Sequence, residues 1–134
     1  MYTEEEITKK IADAEKYRLS GRHLLNDRAA VKLECNGIGA AWMPDSLRKT
    51  IGALHPSLIL AADIHDRRYS IGGTSSDREA ADEEFKENCF RIITEKYRWY
   101  NPGRFFLKRQ TLRFYNILRL FGSMAWNNAG GNHE

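Results

Sequence analysis

An all-α fold is predicted by three features of the chain: two helix-start capping boxes, glycine pairs or Ser-Gly steps where helices should stop, and apolar residues recurring at three- and four-residue spacing. Thr3 and Glu6 start a first helix expected to reach about Leu19, with Ser20-Gly21 as its stop. Asp27 to Glu34 is ambiguous, and Cys35 to Pro44 (CNGIGAAWMP) reads as loop, because Asn-Gly and Gly-x-Gly favour irregular backbone. A short helical turn is expected at Asp45 to Leu54. His55-Pro56 opens a second main helix, proline being tolerated in a first turn, and Gly72-Gly73 ends it. Ser76 and Glu79 form a further capping box for a long helix from Asp77 to about Trp99. Asn101-Pro102-Gly103 breaks that helix, a last one spans Arg104 to about Phe121, and the tail NNAGGNHE should fray.

The 134 residues form one expected domain, with no repeat or low-complexity linker. A hydrophobic content of 42% against 29% charged is ordinary for a globular protein and too apolar for a disordered one. The longest apolar run, Leu58 to Ala62, is far short of the ~20 residues of a membrane span. The start, MYTEEEITKK, lacks the apolar stretch of an export signal. The chain is therefore expected in the cytoplasm at synthesis, reaching its target by release or by phage- or toxin-like delivery. Cys35 and Cys89 are too few for a disulfide framework and are expected to stay reduced.

Charge is uneven. Residues 1–90 hold 13 Lys/Arg against 16 Asp/Glu, whereas residues 91–133 hold 8 basic residues and only Glu95, a net of +7. A basic C-terminal third implies an anionic partner. In RFFLKRQTLRFYNILRLF, Leu107, Phe114, Leu118 and Phe121 share a face, and Arg104, Lys108, Arg109 and Arg113 supply the charge with which such a helix could lie on an anionic membrane. Such a stripe is more often core, with the basic residues a solvated rim. The basic residues follow no DNA-reading motif, and no nucleic acid is expected as partner.

The chemistry-bearing residues gather mid-chain. The connection Gly72 to Ser75 makes the flanking helices antiparallel neighbours. His65 lies seven residues before Gly72 and Asp82 six after Ser76, so the two side chains rise to similar height. His65 shares a face with Leu58, Ala61, Ala62 and Tyr69, and Asp82 falls on a stripe with Phe85 and Cys89. A carboxylate there needs partners, and the nearest candidates are the His65 imidazole and the Tyr69 phenol. Such a pair fixes one tautomer and leaves the other ring nitrogen as a general base. Asp66 points to an adjacent face, over which the glycine loop could close. Gly37 and Gly39 permit backbone that aims carbonyl oxygens inward, so loop plus Asp66 is a candidate calcium site beside the base.

The stretch from Cys35 to Phe90, about 55 of the 134 residues, resembles the phospholipase A2 superfamily. That family has a glycine-rich calcium loop, a helix with H-D-x-x-Y, and an antiparallel helix whose aspartate supports the histidine. The corresponding segments here are C-N-G-I-G (Cys35 to Gly39), H-D-R-R-Y (His65 to Tyr69) and A-A-D-E-E-F-K-E-N-C-F (Ala80 to Phe90). The resemblance implies a general base at His65, oriented by Asp82, with Tyr69 hydrogen-bonded to Asp82. It implies calcium held by Asp66 and by the carbonyls of Cys35, Gly37 and Gly39, with the Gly37 amide as a second oxyanion donor. The implied reaction is hydrolysis of the sn-2 ester of a glycerophospholipid at a membrane surface. Asn36 replaces a loop cysteine, and Ala61 and Ala62 stand where the histidine helix would carry cysteines; these joint losses resemble the disulfide-poor viral and bacterial branches. The gap from Gly39 to His65 is longer than in the secreted enzymes, and no second tyrosine is assignable as support for Asp82.

Two other classes fit parts of the pattern. A metal-dependent phosphohydrolase would use His65 and Asp66 as direct ligands with His23 or His55, leaving the glycine loop and Tyr69 without a role. A non-catalytic helical module would bind nucleic acid through its basic third.

Overall fold

The computed structural model describes residues 1–35 and 54–128, with the side chains of 121, 124, 125, 127 and 128 left out. Its described residues are all-helical, without strands. The expected loop Cys35 to Pro44 beyond Cys35 itself, the helical turn at 45–53 and the tail beyond Asn128 lie outside them.

Helix α1 spans Glu4–Lys16. Its N-terminus is closed reciprocally, Glu6 N donating to Thr3 Oγ1 at 3.1 Å and Thr3 N to Glu6 Oε1 at 3.0 Å. Three glutamates in the first turn and Lys16 in the last complement the helix dipole. It ends before the expected Leu19, because Arg18 turns left-handed (φ 53°) and Leu19 N reaches back to the Ala14 carbonyl, sending the Leu19 side chain into the core. Gly21 also has positive φ (80°), and a Cβ there would meet Glu84 Oε1 at 2.8 Å and Ile64 Cγ2 at 2.9 Å. The buried Asn88 grips this bend at both ends, accepting from Ser20 N at 2.8 Å and donating to its carbonyl at 2.9 Å. A 3-10 turn, Arg22–Asn26, then leads into α2, Arg28–Glu34, whose cap is Asp27. The ambiguous segment is thus helical.

His55 caps the next start through Nδ1, which accepts from Ser57 N at 3.1 Å. A 3-10 turn, Pro56–Leu58, precedes α3, Ile59–Ile71. Gly72, at φ 77°, closes α3 with its N–H on the Arg68 carbonyl. Three residues later α4, Ser75–Lys96, begins from Thr74 and not from Ser76. Thr74 and Asp77 form the capping box, while a Cβ on Gly73 would collide with Asp77 Oδ2 at 2.2 Å. Both Thr74-x-x-Asp77 and Ser76-x-x-Glu79 have capping spacing, and the tight Gly72-Gly73 turn brings the earlier pair into use. Helix α5 runs from Pro102 to Asn128, seven residues past the expected Phe121. Proline at its first position lacks only an N–H that the helix would not have used.

Helices α3 and α4 pack side by side, and α5 packs along α4. Ile7, Leu19, Leu25, Val31, Leu58, Ile64, Phe85, Ile92, Ile93, Leu107 and Phe114 meet in one core. Each fully buried aliphatic or aromatic side chain there contributes roughly 1.5–3 kcal/mol relative to exposure. Leu107 and Phe114 of the expected membrane stripe are in this core, and Leu118 packs against it, so that face is not available to lipid. Among the described residues no helix is long and apolar enough to cross a membrane.

Candidate functional site

Helix α3 is buried on nearly every side, with Asp63, His65 and Arg67 as enclosed as Leu60, Ala61, Ile64 and Tyr69. Its polar groups are therefore paired with particular neighbours, and those pairings define the site.

Asp82 of α4 is fully buried and carries three donors. His65 Nε2 lies 2.7 Å from Oδ1, Tyr69 Oη donates to the same oxygen at 2.7 Å, and an Arg119 guanidinium nitrogen donates to Oδ2 at 2.7 Å. Burial pushes the Asp82 carboxyl up, but the hydrogen bond and charge of His65, with the bonds from Tyr69 and Arg119, more than offset it and hold the group below its ordinary range. An ionised carboxylate only accepts, so the His65 nitrogen facing it carries a proton, and in the neutral imidazole the lone pair then falls on Nδ1. The ring packs between Tyr69 (centroids 4.2 Å apart) and Phe85 (5.5 Å), with 8% of the side chain still exposed.

Tyr69 is itself enclosed. Trp126 meets it edge-on, centroids 5.1 Å apart, and Gly122 lies so close that a Cβ would stand 2.7 Å from the phenol oxygen. Burial, then the neighbouring Asp82 charge, raises the phenol pKa, so Tyr69 remains a donor. Arg119 is fastened in turn by Arg78, whose guanidinium donates to the carbonyls of Leu118 at 3.3 Å and Arg119 at 3.0 Å. Neither Arg119 nor Gly122 was signalled by the local sequence: only the packing of α5 on α4, through an apolar stripe, brings them to Asp82.

A second cluster lies one residue along α3. Potential ligand atoms of Cys35, Asp63 and Asp66 all lie within 4.8 Å of one another. Asp63 is paired from the N-terminal segment, Tyr2 Oη donating to Oδ1 at 2.9 Å and Lys10 Nζ standing 2.8 Å from Oδ2, yet burial outweighs both partners and holds its carboxyl above the ordinary range. The Cys35 thiol donates to the Asp63 carbonyl at 3.2 Å, and burial pushes that thiol up, so its sulfur is a neutral neighbour. Cys89, also free, is pushed up to about 12 by burial. Asp66 differs: burial first, then the charges of Asp63 and Glu34, raise its carboxyl pKa well above the ordinary value. A divalent cation would relieve that repulsion, and hard oxygen donors suit calcium. Arg67 beside it is spent elsewhere, on an ion pair with Glu34 and on the Leu24 carbonyl at 3.3 Å.

Of the residues expected to hold calcium, Asp66 has its carboxylate near the Cys35 sulfur, whereas the expected ligand of Cys35 is its carbonyl, and Gly37 and Gly39 lie outside the described residues. His23 is exposed, and His55 is engaged in its own cap; neither joins the metal-ligating cluster among the described residues. Of the basic residues expected at a membrane, Arg109 and Arg113 are exposed while Arg104 and Lys108 are half-buried. Compared with models of protein families, with curated proteins and with solved structures, the chain matches none.

Proposed function

We propose that the protein hydrolyses the sn-2 acyl ester of glycerophospholipids in a calcium-dependent reaction, as a disulfide-poor phospholipase A2-like enzyme whose antiparallel helices α3 and α4 present a catalytic His65–Asp82 dyad. The observation that carries this reading is the 2.7 Å contact between His65 Nε2 and Asp82 Oδ1, reinforced from Tyr69 and Arg119, with Asp66 on the next residue beside Cys35.

His65 Nδ1 takes a proton from a water molecule as that water attacks the ester carbonyl. The imidazolium so formed is stabilised by the Asp82 carboxylate, as an aspartate stabilises the imidazolium of a serine hydrolase. The tetrahedral adduct then expels the glyceryl oxygen, which receives the proton from His65, giving a lysophospholipid and a fatty acid. No covalent intermediate forms, so the buried, neutral Cys35 thiol has no chemical part. Tyr69 and Arg119 act through Asp82 by fixing its orientation and charge. By the resemblance, Asp66 and the Cys35 carbonyl, with those of Gly37 and Gly39, would hold the ion, and Gly37 would supply a second oxyanion donor. Calcium bound there supplies a Lewis acid for the ester oxygen and a template for the phosphate.

One carboxylate and a few carbonyls make a site of low ligand charge, with an affinity on the order of 10⁻⁴ M or weaker. Vesicles labelled in the sn-2 chain should lose fatty acid in millimolar calcium and stop doing so in chelator. Hydrolysis that persists in chelator, or release of the sn-1 chain alone, would contradict the proposal. The phosphohydrolase alternative predicts turnover of phosphomonoesters or nucleotides with manganese or zinc, and the non-catalytic module predicts anion binding with no turnover.

A further inference from the structure

Helix α5 has two apolar faces, and only one is used. Leu107, Thr111, Phe114 and Leu118 turn inward. Phe105, Leu112 and Leu120 are exposed by 60%, 45% and 73%, and Phe106 by 64%. With 100° per residue, these four fall within about 120° of the helix circumference, and Arg109 and Arg113, both exposed, fall in the same sector. The turn leading into α5 adds Trp99, 83% exposed, and Tyr100, 63% exposed. Trp99 meets Tyr100 edge-on with centroids 5.6 Å apart, Phe105 and Phe106 do the same at 5.8 Å, and the Arg109 guanidinium lies 5.7 Å from the Phe105 ring.

Large side chains scattered singly over a surface need no explanation, but six on one turn and one helix sector do. The charge around them selects the occupant. Of the Lys/Arg between Lys96 and His133, Arg109 and Arg113 are the two exposed in this sector, and that stretch of sequence holds no Asp/Glu to offset them. Tryptophan and tyrosine favour the boundary between hydrocarbon and water, phenylalanine and leucine the hydrocarbon side, and arginines among them can reach anionic head groups. A single-stranded nucleic acid would also meet arginine and aromatic rings, but it gains from stacking faces in a groove and has no use for Leu112 and Leu120.

We infer that the outward face of α5, together with the Trp99-Tyr100 turn, is a docking surface for an anionic lipid membrane, with Phe105, Phe106, Leu112 and Leu120 entering the acyl boundary and Arg109 and Arg113 contacting head groups. This face is opposite to the stripe of Leu107, Phe114 and Leu118 that the sequence periodicity offers. The inference deepens the reading of a protein that acts on phospholipid, but binding to the membrane does not require the His65 site.

The test is co-sedimentation of the full chain with vesicles, in chelator so that no hydrolysis is demanded, using phosphatidylcholine alone and phosphatidylcholine with phosphatidylglycerol. The wild-type protein should bind the anionic vesicles preferentially, with a blue shift of tryptophan emission that is lost in Trp99→Phe. Phe105→Ser/Phe106→Ser should weaken binding by about tenfold or more at unchanged helical circular dichroism. Arg109→Gln/Arg113→Gln, which leaves the apolar residues in place, should remove most of the anionic preference and its salt dependence. Three results would overturn the inference: equal or absent binding to both vesicle types, variants that bind like wild type, or a self-association or oligonucleotide binding that these substitutions abolish while vesicles are ignored. Vesicle binding without hydrolysis in calcium would leave the docking surface standing and remove the enzymatic reading alone.

Discussion

Arg119 donates to Asp82 Oδ2 across 2.7 Å, occupying the one carboxylate oxygen that His65 and Tyr69 leave free. A residue from the C-terminal helix thereby completes the support of a histidine on α3 through a carboxylate on α4. The fully buried Asp82 stays ionised because these donors replace the water it has lost.

Removing that donor should be felt in both stability and rate. Arg119→Met leaves a buried acceptor unsatisfied and should cost about 1–3 kcal/mol in urea unfolding, whereas Arg119→Lys, which keeps a donor and a charge, should recover part of the loss. Because the folded-state pKa of Asp82 is depressed, its contribution to stability is present above the unfolded value and disappears as pH falls through the folded one. The difference between wild type and Arg119→Met should therefore narrow in strong acid.

Asp82→Asn keeps the shape but no longer compels Nε2 of His65 to carry the proton. Lipid hydrolysis should fall by ~10²–10⁴-fold in kcat with little change in apparent KM, since the substitution acts on the base and not on lipid contacts. A rate within a few-fold of wild type in steady-state assays would contradict the assigned role.

Asp66→Asn should raise the melting temperature of the calcium-free protein, because it removes a charge that burial, Asp63 and Glu34 all disfavour. The pKa of Asp66 is higher folded than unfolded, so its contribution is fully present below the unfolded pKa and is lost as pH rises through the folded one; above that, the ionised group costs stability. Calcium should reverse this cost. Scanning calorimetry should find a calcium-induced rise in melting temperature that grows with pH in wild type and is absent in Asp66→Asn.

Gly122→Ala places a methyl group 2.7 Å from the Tyr69 phenol oxygen. Trp126, one turn further along the same helix, already packs edge-on against the Tyr69 ring, so the substitution should cost roughly 1–3 kcal/mol and weaken the bond of Tyr69 to Asp82. Chemical denaturation measures the first effect and hydrolysis the second.

Sequence patterns foretold the helical class, the Thr3/Glu6 cap and the helix stop at Gly72, because these depend on neighbours only a few residues apart. The 65/82 juxtaposition was readable too, since a three-residue connection leaves two helices few ways to pack. Arg119, Gly122, Lys10 and Tyr2 were not, because each reaches the site from a distant segment through tertiary packing. Asp63 and Arg67 were also hidden: on a helix buried on nearly every side, periodicity gives no inward face on which to pick them out. The last helix shows the opposite case, where a strong apolar stripe offered both core and membrane as its partner and the packing against α4 assigned it to the core.

The most direct measurement of the central claim compares sn-2 fatty-acid release by wild-type protein and by His65→Gln, matched in melting temperature and helical content, on anionic vesicles in millimolar calcium. Release by wild type and its loss in the variant is the result this account predicts. Equal release by both proteins, or none from wild type bound to those vesicles, would contradict it.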